Sequence, residues 1–415
     1  MSSEIKKPTK IFYGWWIVIS GTTVNALATG TYWHGFGAFF DPIVDEFKWS
    51  RAITSIAPAL QRSEGAAFGP FVGIAIEKFG PRNVMLFGVI LCGIGFIAMA
   101  HTNSLLWFFA ASSILTIGLT FGTFLVVSTA VANWFVQKRA LALSAASTGS
   151  GFGGFLVPVI VLIISLIGWR DSLQYIGIAF FIIGIPCAMV MRSKPEDYGM
   201  FPDNIDPSDS KNKNMKKEKE YGTKEALKSP TFWTFATVVG ISQLMMSANI
   251  HLIPALTSFG FSREVAGLII GVGVNITNFS GRILSGIFGD KINKKYILTF
   301  AFACQTVGLI IFSYSRTIFQ LVFFMFFWGL GFGLSVPMRL AIVGDYFGRK
   351  NYGTILSLIM TVSAIYSVIS PVAVGWGYDV LGNYRQPFLI LALVSSISIP
   401  GMLLIKPMEN SKKTK

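Results

Sequence analysis

The stretches Gly73-Ile-Ala-Ile-Glu77-Lys78-Phe79-Gly80-Pro81-Arg82 and Gly286-Ile-Phe-Gly-Asp290-Lys291-Ile-Asn293-Lys294-Lys295 follow one pattern. Each comes after an apolar run of membrane-spanning length, sets an acid four residues after a glycine and ends in basic residues. They begin 213 residues apart in a chain of 415. A repeat at half the chain length means that the second half is built like the first, and this constrains the architecture more than any other feature.

Apolar runs dominate the rest. The chain is 53% hydrophobic and 13% charged, with mean hydropathy +0.60, against the roughly 25% charged residues of a soluble protein. A water-soluble core does not take up so much apolar surface, so lipid is the expected solvent. A net charge of +14 in a soluble protein would point to nucleic acid. Here the basic residues sit in short loops and tails beside apolar runs, where they set topology and meet anionic headgroups, and nucleic acid is not an expected partner. Cys92, Cys187 and Cys304 lie inside apolar runs, a distribution that supports neither a disulfide framework nor a zinc site. Lys6, Lys7 and Lys10 precede a first apolar segment that is too long for a signal-peptide core, so it is expected to remain as a span.

The pattern predicts an all-α integral membrane protein of twelve transmembrane helices in two pseudo-symmetric six-helix halves. The spans, numbered 1 to 12 below, fall near 12–40, 53–76, 83–101, 105–134, 140–166, 172–192, 231–259, 264–289, 296–314, 317–345, 352–377 and 385–405. The predicted division is a bundle over 1–192, a linker over 193–229 and a second bundle over 230–415. One side, with both termini, the linker and the loops after spans 2, 4, 8 and 10, holds roughly 25 of the 34 Lys and Arg; the other holds about six. Both termini are therefore expected in the cytoplasm of a multi-pass protein, and short loops point to a prokaryotic cell membrane. The linker carries Pro195, Pro202, Pro207 and a lysine-rich run from Lys211 to Lys219. It is expected to be mobile, with a short surface helix over Thr223–Lys228.

The halves correspond further. Trp16 and His34 in span 1 are 18 apart, as are Trp233 and His251 in span 7. Trp49-Ser50-Arg51 precedes span 2 and Phe261-Ser262-Arg263 precedes span 8, with Ser50 and Ser262 placed as N-caps. Trp134-Phe135 ends span 4 and Tyr346-Phe347 ends span 10.

The paired 73–82 and 286–295 stretches resemble the loop signature of the major facilitator superfamily, with Glu77 and Lys78 in place of the usual aspartate and arginine. A narrower resemblance, to monocarboxylate carriers and bacterial oxalate/formate-type carriers, rests on Phe12-Tyr13-Gly14-Trp15-Trp16, Asn133-Trp134-Phe135 with Lys138-Arg139, Pro195-Glu196-Asp197-Tyr198-Gly199, and Asp345-Tyr346-Phe347-Gly348-Arg349. The resemblance implies secondary transport by alternating access. Glu77, Lys78, Arg82, Asp290, Lys291 and Lys295 would form a gate whose carboxylates meet a neighbouring helix N-terminus or loop arginines.

Three arginines lie inside spans: Arg62, Arg282 and Arg339. A guanidinium there costs a few kcal/mol even on lenient scales and normally faces a cavity or a partner. Arg282 shares one helical face with Asn275 and Asn278, and its fork can take a carboxylate through two hydrogen bonds. The resemblance adds that the carriers use a span-8 arginine for this purpose. An alternative is that Arg282 braces the gate. His34 and His251 hold matching places, where a histidine could donate to a carboxylate or carry a proton. Arg62 is a candidate second anion contact, or pairs with another helix, while Glu64 points elsewhere. Arg339, six residues before Asp345, is expected in the charge network of the gate.

The expected substrate is a small carboxylate, with a proton gradient as driving force and no bound cofactor. The expected protein is a monomer in contact with anionic lipid headgroups. An oxalate/formate-type antiporter is the alternative; those carriers pair the span-8 arginine with a lysine in span 11, and span 11 here has no lysine or arginine. Enzymatic chemistry is not expected, since His34, His101 and His251 lie in different spans or at a rim and no metal motif occurs. A carrier-derived sensor would need binding without flux.

Overall fold

The computed structural model describes residues 11–49, 56–206 and 220–408; the side chains of Asp41, residues 56–66 and Arg263 fall outside that description. The Ser50 cap, Lys6, Lys7 and Lys10, Pro207, the Lys211–Lys219 run and the side chains of Arg62 and Glu64 therefore lie outside the described residues.

Among the described residues all regular structure is helical. Ten helices are long and apolar enough to cross a membrane. One of them holds two spans, because Ile56–Ala100 is divided at Gly80, whose φ of 77° and ψ of 156° break the helix. Glycine reaches that backbone without strain. Span 2 thus runs to residue 79 and span 3 starts at 81, so the signature is the end of a helix and a sharp turn, not a loop. The remaining span, span 1, is broken: Tyr13–Ala28, a π turn Thr29–Trp33, then Phe36–Phe47. The twelve-helix expectation is met. Spans 4 to 12 are Leu105–Trp134, Arg139–Ile167, Trp169–Val190, Pro230–Ser258, Glu264–Phe288, Lys294–Tyr314, Ile318–Phe347, Tyr352–Leu381 and Arg385–Leu404. Spans 1 and 11 run further than the hydropathy predicts, to Phe47 and Leu381.

Local chemistry fixes several ends. Ser262 caps span 8 by accepting the N–H of Val265 at 3.3 Å, as its sequence position predicts. Thr317 and Gln320 form a reciprocal capping box at span 10.

The two halves repeat in three dimensions. At the start of span 6, Arg170 donates to the carbonyls of Ala100 and Thr102 at the end of span 3, and its guanidinium lies 5.5 Å from the Phe47 ring. At the start of span 12, Arg385 donates to the carbonyls of Ser313 and Ser315 at the end of span 9 and lies 4.3 Å from the Phe259 ring.

Glycines let the helices approach. A Cβ on Gly153 of span 5 would lie 2.7 Å from the backbone N of Gly30 in span 1, and one on Gly281 of span 8 would lie 2.6 Å from the Leu330 carbonyl of span 10. Gly149, Gly329, Gly331 and Gly333 are similarly crowded, whereas Gly154 faces open space.

The described parts of the linker are held in place. Asp203 accepts N–H groups from Val136, Gln137 and Lys138 at 2.8, 2.7 and 3.2 Å. Arg192 lies between the rings of Tyr13 and Tyr198, 3.9 and 4.2 Å from their centroids. The Thr223–Lys228 helix is present, and Tyr221 beside it donates to the Met408 carbonyl.

Candidate functional site

The described chain ends, the span 4–5 turn and the span 8–9 turn lie on one side, termed the basic side below. There the first six and last six spans lock together. Asp290, just past span 8, accepts the N–H groups of Ala140 and Leu141 at 2.8 and 3.0 Å, in the first turn of span 5. Glu77, at the end of span 2, accepts the N–H of Thr354 at 3.3 Å and the Asn351 amide at 3.1 Å, at the start of span 11. Each half thus supplies a carboxylate to a helix N-terminus of the other, where unpaired N–H groups and the helix dipole favour negative charge. Burial pushes the Asp290 carboxyl above the usual carboxylate value, against the downward pull of the two N–H bonds and the Lys294 charge.

A charge cluster surrounds Asp290. Arg139, fully buried, donates to Asp345 at 2.9 Å; Lys294 reaches Asp345 at 2.8 Å and Asp290 at 3.8 Å. Arg349 donates to the Asn133 carbonyl at 2.9 Å and pairs with Glu196 of the linker at 3.0 Å. Deeper, Ser144 of span 5 and Ser285 of span 8 share a hydrogen bond of 2.7 Å.

Of the other residues expected in the gate, Lys78, Arg82 and Lys291 are exposed, and Lys78 lies 5.3 Å from the neighbouring Phe79 ring. Lys295 donates to the Ile405 carbonyl at the end of span 12, within its own half. The basic residues that reach Asp290 or Asp345 are instead Arg139 and Lys294. Both were visible in the quoted motifs, but neighbouring lysines in a turn cannot be ranked before the turn is built.

Arg282 stands one level above the gate. It is 7% exposed. Its Nε donates to Asn278 Oδ1 at 2.9 Å, and a terminal nitrogen donates to the carbonyl of Ser147 in span 5. Asn275 is exposed one turn away and donates to the Gly271 carbonyl of its own helix at 2.7 Å. A π turn over Leu268–Gly273 precedes this face, a feature frequent at functional positions.

The two histidines do not share an environment, despite their matching positions. His34 is exposed at the break after the π turn of span 1 and lies within electrostatic reach of Arg282. The ring of His251 forms a hydrogen bond of 2.9 Å with the Pro371 carbonyl of span 11 and lies beside Tyr384, at a centroid distance of 5.8 Å. Its ring is held within the last six spans.

Arg339 departs from expectation. Its guanidinium makes no described contact with Asp345, which is taken by Arg139 and Lys294. It donates to Gln243 Oε1 of span 7 at 2.9 Å and to the Ser335 carbonyl at 3.3 Å, and lies 3.7 Å from Met246 Sδ. Six residues is more than one and a half helical turns, and an arginine on such a helix points back toward the N-terminal end, away from Asp345.

Comparison with known proteins agrees with this architecture. The family model described as Major Facilitator Superfamily matches residues 18–284 and 237–415. The oxalate:formate antiporter of Oxalobacter formigenes is 25% identical over 400 residues, covering 92% of this chain and 89% of that protein. Monocarboxylate transporter 12 of Xenopus laevis is 26% identical over 405 residues, covering 91% and 85%. Among solved structures, the proton:xylose symporter XylE superposes with a TM-score of 0.76 over 95% of this chain and 96% of that one, at 14% identity. A helix-only membrane chain with repeated halves, locked across a shared carboxylate signature and matched along nearly its whole length, belongs to the major facilitator superfamily and is a multi-pass membrane transporter.

Proposed function

We propose that this transporter moves a small monocarboxylate, of the size of lactate or pyruvate, together with a proton, by alternating access. The observation that carries the reading is Arg282: a guanidinium buried within a span whose described partners, Asn278 Oδ1 and the Ser147 carbonyl, are neutral. A carboxylate there gains two charge-assisted hydrogen bonds and neutralises a charge that is costly to leave alone. The names of the relatives, an oxalate:formate antiporter and monocarboxylate transporters, support an organic anion as cargo. Asn278 orients the guanidinium, Asn275 lies on the exposed approach, and His34 is a titratable group within electrostatic reach of Arg282.

In this reading the basic side is the cytoplasmic face of the cell membrane, with anionic headgroups beside it and both termini inside. The bundles 1–192 and 230–415 rock as monomeric halves joined by the linker, and the Glu77 and Asp290 caps hold the inner gate shut until transport breaks them. The alternative is exchange of anions; it is favoured by the second arginine, Arg339, near Arg282.

The test is uptake of radiolabelled lactate into proteoliposomes under an imposed inward proton gradient, with pyruvate, acetate and oxalate as competitors and Arg282→Gln as control. Gradient-driven uptake lost in the control supports symport through Arg282. Flux only against internal anion selects the antiporter, and flux unaffected by Arg282→Gln removes the site.

A further inference from the structure

Arg282 and Arg339 are neighbours on adjacent helices. Spans 8 and 10 pack through glycines: Gly281 against the Leu330 carbonyl, and Gly333 against the Asn278 carbonyl. Gly281 lies beside Gly333, so Arg339 sits five residues further toward the basic side than the level of Arg282, about 8 Å along the helix axis. Both side chains lean toward the N-terminal ends of their helices, which puts both guanidiniums above the same gate and within electrostatic reach of each other. All their described acceptors are neutral: Asn278 and Ser147 for Arg282, Gln243 and Ser335 for Arg339, with Met246 sulfur alongside. Two cations that stay charged at every physiological pH repel each other in such surroundings. Two neutral amides, Asn278 and Gln243, hold the forks apart and leave hydrogen-bonding capacity on each.

We propose that Arg339, oriented by Gln243, is a second anion-binding residue of this site, and that a bound carboxylate bridges Arg339 and Arg282. The bridge exploits chemistry that neither arginine has alone. One carboxylate has lone pairs enough for both forks. Its negative charge converts a repulsive pair into an attractive triad. It also ties span 10, and through Gln243 span 7, to span 8 and to Ser147 of span 5, so that occupancy is felt by helices of both halves. The inference rests on the reading of Arg282 as the carboxylate contact.

The test is equilibrium binding of lactate to the detergent-purified full chain by calorimetry at fixed ionic strength, for wild type, Arg339→Gln, Arg339→Lys, Gln243→Leu and Arg282→Gln, with the thermal unfolding midpoint of each variant without ligand. Arg339→Gln is expected to weaken lactate binding about tenfold or more, the loss of one charged hydrogen bond. Arg339→Lys should retain part of the affinity, and Gln243→Leu should weaken binding less than Arg339→Gln. Wild-type affinity in Arg339→Gln, with Arg282→Gln defective, overturns the bridge and leaves the Arg282 site standing. A lowered unfolding midpoint at unchanged affinity assigns Arg339 a purely structural role and also overturns it. Lactate binding untouched by Arg282→Gln removes the underlying site. Oxalate titrated in parallel reads the charge of the pocket: a preference for oxalate over lactate that vanishes in Arg339→Gln is expected from two cations, and a preference that survives is not.

Discussion

Asp290 and Ala140 are 150 residues apart in sequence, yet the Asp290 carboxylate accepts the Ala140 N–H at 2.8 Å. With the Leu141 N–H at 3.0 Å, this makes Asp290 the N-terminal cap of a helix in the other half. Glu77 mirrors it on Thr354 at a longer 3.3 Å and from an exposed position. If the halves part on the basic side during transport, as proposed above, both caps must break.

Asp290→Ala is therefore expected to open the basic side. A lost cap costs about 1 kcal/mol, with a comparable term for the dipole. Spin labels on spans 5 and 8 should report a larger open fraction, by about tenfold in equilibrium constant. Glu77→Ala should act in the same direction and less. Unchanged distances in Asp290→Ala would show that the cap does not hold the gate.

Acid should act on the same cap. Burial raises the Asp290 carboxyl in the closed arrangement, so that arrangement holds its proton more tightly than one with the carboxyl in water. By linkage the stabilisation from this group is full below the ordinary carboxylate value and is lost as pH rises through the raised value. Lys294 pulls the group down and Asp345 pushes it up, and burial still sets the sign. Lowering the pH on the basic side from neutrality toward about 4 should favour closure, and Asp290→Asn should flatten that response. Inter-span distances that grow in acid would contradict this.

Arg139 is buried and Asp345 is its carboxylate. Asp345→Asn leaves the guanidinium without that charge and is expected to destabilise by about 1 to 3 kcal/mol, between an exposed and a fully buried pair, because the carboxylate is 33% exposed. Lys294→Ala removes the outer member and should cost about 1 kcal/mol or less. Thermal unfolding of the two variants in detergent ranks them; the reverse order would place the main contact on Lys294.

Glycine substitutions should separate close approach from open space. Gly153→Ala puts a methyl 2.7 Å from the Gly30 backbone and is expected to cost about 1 to 3 kcal/mol through overpacking. Gly154→Ala meets nothing within 4 Å and should be neutral within about 0.5 kcal/mol. Equal effects in an unfolding assay would mean that spans 1 and 5 are not packed through Gly153.

Asn278 and Asn275 should differ in the same way for the anion. Asn278 holds Arg282, whereas Asn275 satisfies a backbone carbonyl of its own helix. Asn278→Ala is expected to weaken lactate binding by about threefold to tenfold, the value of one hydrogen bond, and Asn275→Ala by less. Calorimetry on the two variants decides between them.

Sequence alone determined the solvent, the number of spans, the repeat and the family, because each is written in local composition and in spacing along one helix. Bilayer thickness fixes span length, a 213-residue offset fixes the pairing of halves, and the stripe from Asn275 through Asn278 to Arg282 follows from helical geometry. Tertiary structure decided what depends on the rotation and depth of helices from distant parts of the chain. It left His34 exposed at the break of span 1 but engaged His251 with the Pro371 carbonyl, although the two hold equivalent positions. It gave Asp345 to Arg139 and Lys294, and turned Arg339 to Gln243. It made Lys294, and not Lys295, the partner of Asp290. Spacing within a helix fixes which residues share a face, and only packing between helices fixes what that face meets.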